Sequence, residues 1–153
     1  MKSLQDQYAS QSICFGCGPA NLKGLQIKSF VKGNQVVAKF KPEPHHHAFP
    51  GVLNGGIIGA LLDCHSNWTA SWHLMNKNKL EITPCTVTAE FNVKLTRPTP
   101  MDTELELVSE VVDSVADDRA TVDAKLIANG KVCATCRGIF VSVKPGHPAY
   151  HRW

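Results

Sequence analysis

Several things are missing from this chain of 153 residues. It has no run of Lys or Arg: the basic residues are scattered and the formal net charge is only +3. That argues against a nucleic-acid groove, while leaving room for a local preference for an anionic small molecule. The N-terminus lacks a basic segment followed by an apolar one, so no secretory signal is read and a cytoplasmic location is expected. Six cysteines in that setting are free thiols rather than a disulfide framework. No internal repeat occurs, and the only biased tract is His45-His46-His47. The length suits one domain with its own core.

The most informative absence is local. Between Gly55 and Asn76 the only formally charged residue is Asp63. The stretch Pro50-Gly-Val-Leu-Asn-Gly-Gly-Ile-Ile-Gly-Ala-Leu-Leu-Asp63 runs on to Met75 and is apolar almost all round, the pattern of a buried helix. Asn54 is a good N-cap, and Gly55 and Gly56 leave the first turn open to a ligand. A carboxylate in the middle of such a helix is costly unless it is paired or used. The run is nearly long enough to cross a bilayer. Asp63, His65, Ser66, Asn67 and His73, with the polar remainder of the chain, exclude that reading, so no membrane partner is expected.

The rest reads as strands. Leu25 to Val31 and Gln35 to Lys41 form a hairpin across Lys32-Gly33-Asn34. From Thr86 to Arg97 the alternation is complete. Val87, Ala89, Phe91, Val93 and Leu95 share one face, and Thr88, Glu90, Asn92, Lys94 and Thr96 share the other. Glu104 to Val115, Ala120 to Ala128 and Lys131 to Val143 follow, the last two joined by the hairpin signal Asn129-Gly130. This gives a polar lead-in (1–13), a domain (14–143) and an irregular tail (144–153). The class is α+β, a curved, mostly antiparallel sheet wrapped around one central helix, because the helix and one sheet face both need burial.

Cys14-Phe-Gly-Cys17 has the spacing of half a zinc site. Cys133 and Cys136 could supply the other half, but three residues apart on a strand they point to opposite faces. His45, His46 and His47 are the remaining donors. Two thiols lining a turn is the favoured reading, with no metal and no cofactor expected.

The order of elements, Asn54-Gly55-Gly56 opening the helix with Asp63 nine residues on, the strand Thr88-Ala-Glu-Phe-Asn-Val-Lys-Leu-Thr-Arg-Pro98, and Cys14-Phe-Gly-Cys-Gly-Pro19 with Asn21 and Gly24-Leu25 together resemble the hotdog-fold acyl-CoA thioesterases. The nearest branch is the small, single-hotdog thioesterase of phenylacetate pathways, and the resemblance covers residues from about 14 to 143. That branch usually has His where this chain has Asn54, and many relatives have Asn where it has Ala48. His47 or Asn54 would then take over polarising the thioester carbonyl.

The resemblance implies an acyl-CoA substrate and a homodimer, alone or as a dimer of dimers. Helix-start N–H groups with the positive end of the helix dipole suit a developing oxyanion. The Gly56 N–H, supported by Gly55 and Asn54, is assigned that task, and Asp63 acts as base or nucleophile. By resemblance Thr88 positions water, although strict alternation turns it away from the Phe91 face. By family position Lys94 and Arg97 hold the coenzyme A phosphates. Phe49 and Trp68, with Trp72, are candidates for the acyl pocket. A non-catalytic acyl-CoA-binding protein is the alternative reading. A hydratase would need an Asp and a His five residues apart, and Asp63-Cys64-His65 does not provide them.

Overall fold

The computed structural model describes residues 1–151. Among the described residues two α-helices and eight strands form in the order α1 (Leu4–Tyr8), β1 (Ser29–Lys32), β2 (Gln35–Phe40), β3 (His47–Phe49), β4 (Val52–Leu53), α2 (Gly55–Lys77), β5 (Thr86–Leu95), β6 (Leu105–Asp113), β7 (Arg119–Ala128) and β8 (Lys131–Ser142), with one 3-10 turn (Pro44–His46) before β3. Six strands make one antiparallel sheet in the order β1-β2-β6-β7-β8-β5, and β3 and β4 form a separate hairpin. The long helix α2 packs on one face of the large sheet, across β2 and β5 to β8. This is the α+β hotdog architecture expected from the sequence.

The helix is covered almost everywhere. Of its 23 residues, only Gly56, Asn76 and Lys77 are exposed. Leu61, Leu62, His65, Ser66 and Leu74 are fully buried and meet Leu105, Leu107, Val122 and Leu126 from the sheet. Burying each of these leucines stabilises the fold by roughly 1.5–3 kcal/mol. His65 is accommodated by complete hydrogen bonding. Its Nε2–H donates to the Val36 carbonyl at 3.0 Å, so Nδ1 must accept from the Ser29 hydroxyl at 2.9 Å. Ser29 in turn receives Gln5 Nε2 at 3.0 Å and donates its own N–H to Gln5 Oε1 at 2.8 Å. The polar lead-in is therefore tied to β1 and α2 through a fully buried Gln5.

Two local features differ from the strand pattern in the sequence, the start of β1 and the course of β5. β1 begins at Ser29 rather than Leu25; Leu25 and Ile27 are buried but belong to an unpaired segment held to the Phe15 and Gly16 carbonyls. The turn of the β7–β8 hairpin does follow the Asn-Gly signal, with Asn129 at φ 51° and Gly130 at φ 75°. In β5 the unbroken alternation fails. Thr88 pairs with Phe140 and Glu90 with Ile139, which leaves Ala89 as an extra residue in a β-bulge. Before the bulge Thr86 and Thr88 face the helix; after it Phe91, Val93 and Leu95 do.

The β3–β4 hairpin sets the start of α2. Gly51 turns it with φ 82°, Leu53 N–H reaches the Thr99 carbonyl, and Asn54 N–H reaches the His46 carbonyl. The C-terminal residues form turns, and His151 N–H contacts Cys85 Sγ at 2.9 Å. The last two residues of the tail, Arg152 and Trp153, lie outside the described residues. No helix among the described residues is long and apolar enough to cross a membrane.

Candidate active site

Gly55, Gly56, Gly59, Ala60 and Asp63 fall on one stripe of α2, since seven residues bring the helix almost back to the same azimuth. These small side chains and Asp63 line an open cleft of about 340 Å³, closed on the other side by Phe91, Val93 and Leu95 of β5. The glycines set the approach of the strand: a Cβ on Gly55 would lie 3.2 Å from Leu95 Cδ1. Beyond Asp63 a second cleft, of about 270 Å³, is lined by Ser12, Ile13, Cys14, Cys17, Asp63, Cys64, Asn67 and Trp68. Asp63 thus borders both hollows.

The Asp63 carboxylate is half-buried and accepts one hydrogen bond, from Thr88 Oγ1 to Oδ1 at 2.6 Å. Burial pushes its pKa above the ordinary carboxylate range, while the Thr88 hydroxyl pulls against that shift and the nearby Cys14 adds to it. A carboxylate so placed is a stronger base than one in water. The bulge at Ala89 is what brings Thr88 round to it, against the orientation that strict alternation gives.

At the start of the helix, Asn54 is an N-cap whose Oδ1 accepts from Gly56 N–H at 2.8 Å and Ile57 N–H at 3.2 Å. The amide assigned to an oxyanion is therefore already occupied by the chain's own side chain. His47 is exposed on β3, and its Nδ1–H is turned to the Pro44 carbonyl. It is not among the residues lining the Gly55–Asp63 cleft.

The remaining candidates are dispersed. Arg97 and Phe49 share a cleft of about 350 Å³ at the mouth of α2, with Val52, Gly55, Ile58 and Leu95. Lys94 lies on the other side of β5, in a depression with Asn92, Thr135 and Arg137. Trp68 is buried in the core and donates its indole N–H to Cys17 Sγ at 3.3 Å, so within one chain it does not share a pocket with Phe49. Trp72 packs against the same core, half-buried.

Two groups bring metal-binding side chains together among the described residues: Cys14, Cys17 and Cys64, and Glu43, His45 and His46. In the second, His46 serves as a cap for the Glu43 backbone N–H, at 3.0 Å. Cys133 and Cys136 do not converge on Cys14; both are buried on β8, where a register shift beside Cys133 breaks the alternation. The sequence alone did not single out Cys64. Its position directly after Asp63 was the available signal, and only the docking of the residue 14–17 turn on α2 makes it meaningful.

A thioesterase superfamily protein from Shewanella loihica superimposes with a TM-score of 0.67 at 34% identity, over 82% of this chain and 98% of that one. The chain belongs to the hotdog-fold thioesterase superfamily. More distant thioesterase neighbours share the fold. A phenylacetic acid degradation-related protein from Ralstonia eutropha gives a TM-score of 0.66 at 18% identity, covering 82% of this chain and 91% of that chain. The PaaI protein from the phenylacetic acid degradation operon of E. coli gives 0.65 at 16% identity, covering 82% and 85%. No family model and no curated relative matches this chain.

Proposed function

We propose that this thioesterase hydrolyses an acyl-CoA, with Asp63 as the base that activates water. The observation that carries the reading is the Asp63 carboxylate, which is held by Thr88 in a helix with no other charged residue before Lys77 and faces an open cleft running to the helix start. Asp63 takes a proton from water as the water oxygen attacks the thioester carbon. The oxyanion forms at a helix-start amide, the C–S bond breaks, and the CoA thiolate leaves with the proton that Asp63 returns. Gly56 N–H serves the oxyanion once the substrate oxygen displaces Asn54 Oδ1, and Gly55 contributes by leaving that approach free of a side chain.

Distance argues for two chains per site. Gly56 and Asp63 are separated by about 10 Å along the helix axis. A single thioester carbon needs its attacking and stabilising groups within roughly 3–3.5 Å. A homodimer with its two α2 helices antiparallel about a twofold axis presents Gly56 of one protomer to Asp63 of the other, twice. Support for that interface comes from Phe91 and Leu95, which are 43% and 57% exposed beside the small-residue stripe and the free edge of β5. The dimer also allows Phe49 and Trp68, which line separate clefts in one chain, to approach one acyl group from different protomers. Arg97, at the cleft mouth, is the better placed of the two cations for a CoA phosphate; Lys94 needs the partner to complete its site. Pairing of two dimers into a tetramer is compatible with this arrangement. We place the enzyme in the cytoplasm, a compartment consistent with six unpaired cysteines.

One observation favours a second reading. The Asn54 cap on Gly56 N–H suits a protein that binds acyl-CoA without turning it over. A panel of aromatic and aliphatic acyl-CoAs, followed by release of free thiol, separates the two. Hydrolysis predicts release that falls by roughly 10²–10⁴-fold in Asp63→Asn. Binding without Asp63-dependent release supports the alternative.

A further inference from the structure

The Cys14–Cys17 turn is docked against α2 so that a third thiol, Cys64, enters the group. All three sulfurs lie within 4.8 Å of one another, and Cys14 Sγ and Cys64 Sγ are 3.7 Å apart. That separation is far outside the 2.03–2.05 Å of a disulfide. It matches the roughly 3.8 Å that two sulfurs keep across a tetrahedral ion with metal–sulfur bonds of about 2.3 Å. Sulfurs this close are near enough together to share a single ion.

The surroundings are built for that convergence. A Cβ on Gly16 would lie 2.4 Å from Cys64 Sγ, so only glycine lets the helix thiol reach under the turn. Gly18 is equally constrained: its Cβ would meet the Ser12 carbonyl oxygen and the Cys14 nitrogen at 2.4 Å. The turn is pinned by Gly18 N–H to the Cys14 carbonyl at 2.8 Å, and by Leu25 and Ile27 N–H to the Phe15 and Gly16 carbonyls. One donor points at the group. Trp68 Nε1–H lies 3.3 Å from Cys17 Sγ.

We propose that Cys14, Cys17 and Cys64 bind one thiophilic divalent metal ion, zinc by its ligand set, with a fourth coordination position open to the cleft that Asp63 borders. Three thiolates favour zinc over hard cations, which prefer oxygen. Binding replaces the thiol protons, which are released to solvent. The ion then ties the turn of residues 14–17 to α2 one residue after Asp63. The second half-site that the Cys-x-x-Cys spacing asks for is this helix thiol, not Cys133 and Cys136.

Metal content measures this without any activity assay. Protein purified with reductant and without chelator is expected to carry one zinc per chain by elemental mass spectrometry. After stripping, cobalt(II) is expected to restore a thiolate-to-metal charge-transfer band, and the melting temperature should rise with added zinc. Cys14 is exposed, so Cys14→Ser is expected to fold normally by circular dichroism. It should bind cobalt more weakly by at least the roughly 10–100-fold that losing even an outer-shell partner costs. Fully reduced wild-type protein that gives no thiolate–cobalt band, or the same band as Cys14→Ser, overturns the site.

Discussion

Thr88 Oγ1 sits 2.6 Å from Asp63 Oδ1 because one extra residue, Ala89, rotates the first part of β5 toward the helix. The hydroxyl fixes one carboxylate oxygen and leaves the other free for a substrate water. Thr88→Val removes the donor at nearly constant volume. A hydrogen bond to a charged group contributes roughly 1.5–3 kcal/mol, so kcat should fall roughly tenfold or more while the fold persists. Thr88→Ser restores the donor and should recover most of the rate. Equal activity of the Val and Ser variants would remove Thr88 from the site.

The Asn54 cap predicts a separation of stability from turnover. Asn54→Ala gives up both hydrogen bonds to the first turn and should lower stability by about 1 kcal/mol in urea denaturation. It also frees Gly56 N–H for the substrate oxygen. Turnover is therefore expected to hold or rise relative to wild type. A fall in kcat well beyond the loss of folded protein would show that the Asn54 side chain itself contacts the reacting carbonyl.

Gly138 pairs with Phe91 across the β5–β8 ladder and faces the helix side. A Cβ there would come within 2.7 Å of two Phe140 ring carbons and 3.2 Å of the Glu90 carbonyl oxygen beside the bulge. Gly138→Ala should cost about 1–3 kcal/mol by overpacking, read as a shift in the urea midpoint. Activity should fall by more than the folded fraction accounts for, because Phe140 is the cross-strand partner of Thr88.

Phe91 carries the test of the interface. It is 43% exposed in the single chain, so Phe91→Glu should leave the melting temperature nearly unchanged under monomeric conditions. Buried against a second copy, the same charge is costly. Light scattering is expected to show loss of the dimer, and thioester hydrolysis should disappear with it. A monomer that retains full activity contradicts a shared site.

Much of this fold could be read from the sequence because its signals are local. Asn54, the glycines and the uncharged run to Asn76 mark α2, and Asn129-Gly130 marks the β7–β8 turn. The single acid in that run pointed to Asp63. What could not be read was set by tertiary contacts. The bulge at Ala89 arises from pairing with β8, and no change of residue type announces it, so alternation turned Thr88 the wrong way. The link from Gln5 through Ser29 to His65 joins segments far apart in sequence, and each residue alone reads as a polar side chain facing water. Cys64 is silent for the same reason: its partners lie on a turn 50 residues earlier.

The most direct test of the shared site is complementation. Asp63→Asn and Gly56→Pro should each be nearly inactive, since one removes the base and the other the helix-start N–H. Mixed after dissociation, or co-expressed with different tags and purified as the heterodimer, they should regain one working site of the two, about half the wild-type activity per dimer. A correctly assembled heterodimer with no more activity than its parents would contradict the account.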